Sequence, residues 1–307
     1  MRRAKEGVWA TMLTPFTDRG EVDYPGLEHL IEWYAEHRVT GLFAICKSSE
    51  SFEMTLEERL SVSKFIVRRS AGRMPVIAGA TYSTAVDEQA RELERMAGTG
   101  VDAVVIIASM IAGPDASDGQ WRNRLEKLVD STGTDMPLGI YESPAPYHRL
   151  ITPVNLDWCR RTGRFRFLKD TCCDIDLIRR KLAVIEGSDL RLFNANTDTL
   201  LDSLRHGAAG YSSVMANVNP ELYDWLIRNH EISPDRAARL ESFLSVANEA
   251  AVARCYPTSA KYFLTLQGLP ISLYTRTKTR LPPDDRMRRV INHLHRINQD
   301  YLDEYET

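Results

Sequence analysis

The sequence lacks the motifs that define several classes of protein. It has five cysteines, an odd number without a C-x-x-C pair, which fits a reducing compartment better than a disulfide framework. It has no H-E-x-x-H motif, no group of carboxylates at metal-ligand spacing and no glycine-rich phosphate loop. We therefore expect an activity that needs neither a metal ion nor an organic cofactor.

The chain also lacks long apolar runs and an excess of either charge. No stretch approaches the ~18 apolar residues of a membrane span, and the apolar run near the start is broken by Thr11, Thr14 and Pro15. Lysine and arginine together number 39 against 42 aspartates and glutamates, a net charge of −3. This balance argues against binding to nucleic acid or to an anionic membrane surface. We expect a soluble, cytoplasmic protein.

Short apolar segments rich in valine, isoleucine and phenylalanine recur along the first two thirds of the chain. They span roughly Val8 to Phe16, Gly41 to Cys46, Met74 to Ala80, Asp102 to Ala108, Pro137 to Ser143, Phe165 to Thr171, Leu190 to Asn194 and Ala208 to Val214. An amphipathic segment lies between most consecutive pairs, and the capping box Thr55 to Glu58 marks the start of one of them. Strands and helices that alternate eight times are typical of parallel βα units, so the pattern predicts an α/β fold, a (β/α)8 TIM barrel.

The pattern of strands stops near Asn219, and helical patterns follow one another to the end of the chain. They cover roughly Glu221 to His230, Pro234 to Val252, Thr258 to Gln267 and Asp284 to Tyr305. This is more helix than the last βα unit of a barrel needs. The sequence therefore predicts a barrel over residues 1–229 and a C-terminal helical extension over residues 230–307.

Lys169 ends the sixth apolar segment, at the face of a barrel where such folds place their chemistry. A neutral lysine amine can condense with a ketone to give an iminium ion. An ordinary lysine has a pKa of ~10.4, so only about one in 2,500 is neutral at pH 7. Burial among Phe165, Phe167 and Leu168 would lower that pKa. The alternative is that Lys169 only pairs with a nearby carboxylate, Asp170 or Asp174.

Other candidates follow the remaining strands and would converge on the same face of a barrel. They are Thr14, Lys47, Ser48, Ser49, Glu50, Tyr141, Glu142, Ser212 and Ser213. Tyr141 can act as a general acid and base, or can fill the top of the barrel by packing alone. Lys47 either brings a second cation to the site or pairs with Glu50 or Glu53 outside it. Glu50 is expected to accept backbone N–H groups and to brace its loop.

Taken in order, these segments resemble the dihydrodipicolinate synthase/N-acetylneuraminate lyase family of Schiff-base-forming barrels. The similar stretches are Thr14-Pro15-Phe16, Cys46-Lys47-Ser48-Ser49-Glu50, Thr55-Leu56-Glu57-Glu58-Arg59, Pro75-Val76-Ile77-Ala78-Gly79, Tyr141-Glu142-Ser143-Pro144, Leu168-Lys169-Asp170 and Gly210-Tyr211-Ser212-Ser213-Val214-Met215-Ala216-Asn217. The resemblance implies that Lys169 forms the Schiff base, that Tyr141 carries protons and that Ser48 assists it. It also implies that the loop of Lys47 and Ser49 holds the carboxylate of a pyruvate-like 2-oxo acid, and that the chain forms a homo-oligomer, a dimer or a tetramer.

The sequence departs from the family pattern at the expected site. Cys46 and Ser49 stand where the family has glycines, and Lys47 stands where it has a hydroxyl residue. Ser109-Met110-Ile111 replaces a Pro-Tyr-Tyr segment, which removes a tyrosine that a neighbouring subunit contributes in synthases. Pro146 replaces an arginine of the synthases, and Arg149 lies three positions further on. These differences predict a divergent member of the family.

The predicted activity is that of a Schiff-base lyase or aldolase acting on pyruvate or another 2-oxo acid. Lys169, Tyr141 and Ser48 would be catalytic, and Lys47, Ser49, Ser212 and Thr14 would bind the substrate. Three alternatives stay open. The same lysine can serve a 2-oxo acid dehydratase or hydratase, or a dihydrodipicolinate synthase, and the altered loop is also compatible with a barrel that binds a 2-oxo acid without turnover.

Overall fold

The chain folds as a closed barrel of eight parallel strands. A computed structural model describes residues 3–133, 135–277 and 282–305. The strands are β1 (Gly7–Thr11), β2 (Gly41–Phe43), β3 (Val76–Ala80), β4 (Ala103–Ile107), β5 (Leu138–Tyr141), β6 (Phe165–Asp170), β7 (Arg191–Asn194) and β8 (Gly210–Tyr211). Each strand pairs with the next, and β8 closes the barrel on β1. The predicted (β/α)8 TIM barrel is confirmed.

Helices cover the outside of the barrel and continue beyond it. They are α1 (Tyr24–Glu36), α2 (Leu56–Ser70), α3 (Val86–Ala97), α4 (Ala108–Ile111), α5 (Asp118–Asp130), α6 (Pro153–Arg161), α7 (Ile175–Ile185), α8 (Leu200–Arg205), α9 (Pro220–Asn229), α10 (Pro234–Ala247), α11 (Thr258–Leu266) and α12 (Asp285–Tyr305). The predicted capping box is present, since the Thr55 hydroxyl accepts the N–H of Glu58 and the Glu58 carboxylate accepts the N–H of Thr55. Within the described residues, no helix is long and apolar enough to cross a membrane.

The C-terminal helical extension is present, but one of its helices is shorter than the sequence pattern predicts. The α-helix α10 ends at Ala247, and a π-helical turn (Asn248–Val252) replaces its predicted last residues, with a 3-10 turn (Ala253–Cys255) after it. Single π-helical turns are frequent at functional sites. Here they bring Asn248 and Tyr256 to the mouth of the barrel. The division of the chain at residue 229 stays a prediction.

Aromatic side chains fill the inside of the barrel. Trp9, Phe43, Phe167 and Phe193 are completely buried there. The rings of Phe167 and Phe193 stack with centroids 4.5 Å apart, and Trp9 lies 5.1 Å from Phe167. Gly41 makes room for this packing, because a Cβ atom at its position would lie 2.6 Å from the Trp9 ring. These rings form an apolar floor beneath the C-terminal mouth of the barrel.

Candidate active site

A cavity of about 340 Å³ opens at the C-terminal mouth of the barrel. The loop after β2 and the ends of β5 and β6 contribute four of the predicted site residues to its wall. These are Lys47, Ser48, Tyr141 and Lys169. The positions are far apart in sequence and converge because parallel strands of a barrel all end at one face.

Lys169 lies inside the barrel on β6, and only 4% of its surface is exposed. Its Nζ atom lies 4.6 Å from the centre of the Tyr141 ring on the neighbouring strand. The pKa of Lys169 is lowered to about 8, mainly by burial; the Cys46 thiol opposes this shift, and the nearby charge of Lys47 contributes to it. At that pKa roughly one amine in ten is neutral at pH 7.

The neighbouring carboxylates do not pair with this amine. Asp170 lies 2.5 Å from Lys181 and accepts the N–H of Cys172. Asp174 caps α7 by accepting the N–H groups of Asp176 and Leu177. Among the described residues, no carboxylate forms an ion pair with Lys169. The alternative in which Lys169 only pairs with Asp170 or Asp174 is therefore wrong.

A buried group of three charged side chains lies just outside the barrel wall. The Nζ atom of Lys181 on α7 is 2.5 Å from both Glu142 and Asp170, and all three side chains have no exposed surface. Glu142 also accepts the N–H groups of Ile151 and Thr171. Burial and the charge of Asp170 raise the pKa of Glu142 above its usual value, and the Lys181 ammonium opposes that rise. The helical pattern of α7 places Lys181 on its buried face, but no motif in the sequence indicates its two partners.

Tyr141 has features of both roles that the sequence left open. Its ring packs edge-on against Phe43 at a centroid distance of 5.6 Å and also lines the cavity beside Lys169. Burial raises the pKa of Tyr141 well above its usual value, while a hydrogen bond with the Ser143 side chain lowers it. The hydroxyl group therefore carries its proton at neutral pH.

The loop after β2 brings Ser48 to the cavity and turns Ser49 away from it. Lys47–Ser49 forms a 3-10 turn, in which the Ser49 hydroxyl accepts the N–H of Cys46 at 2.8 Å and donates to the carbonyl of Cys46 at 2.7 Å. Ser49 is completely buried and does not line the cavity. The Ser49 hydroxyl shapes the turn, and the role of Ser49 in binding the substrate stays a prediction.

Thr14 and Ser212 are buried, and neither lines the cavity. Ser213, the other candidate on the eighth strand segment, does line it. The role of Thr14 and Ser212 in binding the substrate stays a prediction.

Glu50 braces the C-terminal segment rather than its own loop. Its carboxylate accepts the N–H groups of Arg276 and Thr277, and it lies 3.1 Å from Lys261. Lys47 is exposed at the rim of the cavity, where its charge acts on Lys169.

Arg149 pairs with Asp118 and is absent from the cavity wall. Its guanidinium group lies 2.8 Å from the Asp118 carboxylate and donates to the carbonyl of Ala116. It does not line the cavity, and Pro146 supplies no cation there. Lys47 and Lys169 are the cationic side chains in the cavity wall that the structure describes.

Several residues of the cavity wall were missed in the sequence. They are Thr171, Cys173, Asn196, Asn248, Tyr256 and Thr277. Cys173 is exposed and has a left-handed backbone (φ 55°). Asn196 follows β7 and could have been found by the rule that identified the others. The extension residues carry no such signal, since only tertiary packing places them over the barrel.

The described residues contain no group of three histidine, cysteine or acidic side chains arranged to hold a metal ion. The one H-x-H pair of the sequence, His293 and His295, lies on α12. Residues two apart on a helix do not face each other, so this pair does not form a two-ligand site.

Comparisons with known proteins agree with this geometry. A model of the dihydrodipicolinate synthetase family matches residues 4–288. A 4-hydroxy-tetrahydrodipicolinate synthase of Clostridium perfringens (strain SM101 / Type A) is 29% identical over 247 residues, which are 79% of this chain and 82% of that protein. The enzyme of the same name from Gluconacetobacter diazotrophicus is 25% identical over 287 residues, covering 92% of this chain and 94% of the relative.

Solved structures share the fold at lower identity. YagE, a prophage protein of the dihydrodipicolinic acid synthase family from E. coli K12 in complex with pyruvate, superposes with a TM-score of 0.85 at 22% identity, over 96% of this chain and 98% of its own. A dihydrodipicolinate synthase of Bacillus anthracis has a TM-score of 0.86 at 20% identity, with the same coverage of 96% and 98%. The barrel, the lysine at the end of its sixth strand and a family match over nearly the whole sequence lead to one conclusion. The chain belongs to the dihydrodipicolinate synthetase family.

Proposed function

We propose that the chain is a Schiff-base-forming lyase or aldolase that acts on pyruvate or another 2-oxo acid. The observation that carries this proposal is the state of Lys169. Its amine is buried at the end of a cavity, has a pKa of about 8 and is not paired with a carboxylate among the described residues. Such an amine is available as a nucleophile near neutral pH.

The reaction begins when the neutral amine of Lys169 adds to the ketone carbon of the substrate. Tyr141 lies beside Nζ and moves a proton from the attacking nitrogen to the ketone oxygen, which gives a carbinolamine. Loss of water then forms an iminium ion, whose positive nitrogen withdraws electrons from the adjacent carbons. This electron withdrawal allows a carbon–carbon bond at C3 to break, or to form with an aldehyde in the reverse direction.

Ser48 and Lys47 bind the carboxylate of the 2-oxo acid in this proposal. Both line the cavity next to Lys169, and a carboxylate accepts hydrogen bonds from a hydroxyl and from an ammonium group. The pyruvate complex of the structurally similar YagE supports this choice of substrate class. The cavity of about 340 Å³ leaves room for a second, larger part of the substrate.

A dihydrodipicolinate synthase activity is the second candidate, since the relatives carry the name 4-hydroxy-tetrahydrodipicolinate synthase. The resemblance places a carboxylate-binding arginine of synthases at Pro146, and the nearby Arg149 is held by Asp118 away from the cavity. A missing bidentate ion pair costs ~2–3 kcal/mol of binding. We therefore propose cleavage or condensation with a different aldehyde.

A product analysis separates these activities. The purified protein is incubated with a series of 4-hydroxy-2-oxo acids, and the products are identified by NMR. A lyase releases pyruvate and an aldehyde, whereas a dehydratase gives one product that has lost water. Pyruvate with an amino-acid semialdehyde is expected to give little condensation. Lys169→Met is the control, and turnover that survives this substitution would refute the proposal.

A further inference from the structure

Glu142 lies outside the cavity but holds a residue of the cavity wall from two sides. Its carboxylate oxygen Oε2 accepts the backbone N–H of Thr171 at 2.9 Å, and its backbone carbonyl accepts the Thr171 hydroxyl at 2.6 Å. Thr171 lines the cavity, whereas Glu142 is completely buried and is not part of the cavity wall that the structure describes. The position of this part of the wall is therefore set by a residue that the substrate does not reach.

The other oxygen of the Glu142 carboxylate fixes the orientation of the group. Oε1 accepts the Lys181 ammonium at 2.5 Å and the backbone N–H of Ile151 at 2.7 Å. These two bonds direct Oε2 toward Thr171. An ionised carboxylate can accept on both sides at once, whereas an amide in its place accepts on one side and donates on the other.

Thr171 lies across the mouth of the barrel from the loop that is proposed to bind the substrate carboxylate. Lys47 and Ser48 follow β2, whereas Thr171 follows β6, which is four strands away in either direction around the closed barrel of eight. Strands that are four apart in such a barrel lie on opposite sides of it. A 2-oxo acid bound to Lys169 with its carboxylate at the β2 loop therefore directs its other end, the aldehyde part, toward the end of β6.

We propose that Glu142 is a positioning residue for the carbon–carbon bond step, because it fixes Thr171 at the end of the cavity that receives the aldehyde part of the substrate. This inference rests on the proposed Schiff-base function. Pyruvate alone forms its iminium without using that end of the cavity, since its chain stops at C3. Cleavage of a longer 2-oxo acid does use it, because the carbon attached to C3 must be held in the direction in which the bond breaks.

The reactivity of Lys169 does not depend on Glu142. Burial and the side chains of Cys46 and Lys47 account for the shifted pKa of Lys169. Glu142 lies outside the barrel wall, on the other side of the strands from this amine. A change at Glu142 should therefore leave the pH dependence of iminium formation as it is.

Glu142→Gln removes the acceptor for Thr171 and keeps the rest of the buried group. The amide oxygen can still bind Lys181, but the NH2 group then faces the N–H of Thr171, and two donors repel each other. Lys181 keeps its bond to Asp170 at 2.5 Å, so the end of β6 stays anchored. The substitution therefore acts on the wall of the cavity more than on the strand that carries Lys169.

The test compares two reactions of each variant. Borohydride trapping of pyruvate reports formation of the iminium, and release of pyruvate from the best substrate of the 4-hydroxy-2-oxo acid series reports cleavage. In Glu142→Gln, kcat/KM for cleavage should fall by ~10–10² because the reacting bond is misplaced, while trapping keeps the parent rate and pH profile. The matched control is Asp102→Asn, which changes a carboxylate that accepts the N–H of Val76 at 2.8 Å at the opposite end of the barrel. That variant should equal the parent in both reactions.

Thr171→Val is the second variant, and it decides the question if Glu142→Gln does not fold. It removes the hydroxyl that is bonded to Glu142 and to His148 without changing the buried ion pairs. Cleavage should fall while trapping is unchanged, and the double variant should be no slower than the slower single variant. Cleavage at the parent rate by either single variant, or equal losses of cleavage and trapping in Glu142→Gln, would overturn the positioning role. If the parent protein does not trap pyruvate, or cleaves no member of the series, the proposed function fails and this inference falls with it.

Discussion

The reactivity of Lys169 depends on which side of β6 each neighbour occupies. Asp170 is next in sequence, yet it points out of the barrel to Lys181, whereas Lys169 points into the cavity with Tyr141. Neighbours along a strand alternate between its two faces. The amine is therefore separated from the Asp170 carboxylate by the strand itself, and burial lowers its pKa without a compensating ion pair from the part of the chain that the structure describes.

Lys47→Thr tests the second cation at the site. The charge of Lys47 lowers the pKa of Lys169, so its removal should raise that pKa from about 8. Less neutral amine is then present at pH 7 to 8, and the pH profile of adduct formation with pyruvate should shift to the alkaline side. Binding of dianionic substrates should also weaken. If neither the profile nor the substrate ranking changes, Lys47 has no role in the reaction.

Tyr141→Phe tests the proton carrier nearest the amine. The substitution keeps the ring packing on Phe43 and removes only the hydroxyl. Turnover should fall by ~10²–10⁴, the usual contribution of a general acid and base, while slow trapping of the iminium persists. Steady-state kinetics and borohydride trapping measure the two effects separately. Turnover equal to that of the parent would show that Tyr141 contributes by packing alone and does not transfer protons.

The sequence identified the residues whose position follows directly from the strands. Lys169, Tyr141, Ser48 and Lys47 end strands or begin the loops after them, and the structure places all four at the cavity. The Ser49 hydroxyl does not line the cavity, because the local turn sets its direction. Strand order alone carries no information about such hydrogen bonds.

At the scale of elements, the buried group of Lys181, Glu142 and Asp170 ties α7 to the ends of β5 and β6. Tyr141 precedes Glu142 and Lys169 precedes Asp170. The same ion pairs therefore hold the strand ends that carry the two site residues. No periodic pattern in the sequence predicts this contact, because it joins three separate elements.

Lys181→Met should destabilise the fold strongly. Two buried carboxylates lose their cation, and breaking such a pair typically costs ~3–5 kcal/mol of unfolding free energy. Urea denaturation measures the change. Lys64→Met, at an exposed lysine of α2, is the control and should alter stability by less than about 0.5 kcal/mol. An equally small effect of Lys181→Met would show that the ion pairs contribute little.

The C-terminal elements show where periodicity fails. The pattern from Pro234 to Val252 predicts one helix, but the α-helix ends at Ala247 and a π-helical turn occupies Asn248–Val252. Asn248 in this turn and Tyr256 after it line the cavity. A helical repeat does not indicate such an irregularity, which depends on packing against the barrel.

At the scale of the whole molecule, the fold was predictable because eight similar segments repeat. The barrel needs only an apolar floor and strands of suitable spacing, and both are visible in the sequence. The active site lowers the stability of this fold, because burial disfavours the charged form of the Lys169 amine.

Lys169→Met should therefore raise the unfolding free energy. The pKa of Lys169 is about 8 in the fold, against 10.5 for an ordinary lysine. A shift of this size disfavours the folded, charged form by up to ~3 kcal/mol. This destabilisation is fully present below pH 8 and is lost between pH 8 and 10.5, where the unfolded chain binds more protons. Denaturation at pH 7 and 10.5 should show a gain for Lys169→Met only at pH 7, and the opposite order would refute this.

The most direct test of the whole account is to locate the adduct that pyruvate forms. The protein is treated with pyruvate and borohydride, digested, and mapped by mass spectrometry, because only an iminium ion is reduced to a stable covalent product. The account predicts one modified residue, Lys169, and no adduct in the folded Lys169→Met variant. An adduct on Lys47, Lys181 or Lys261 instead, or one that persists in Lys169→Met, would contradict it.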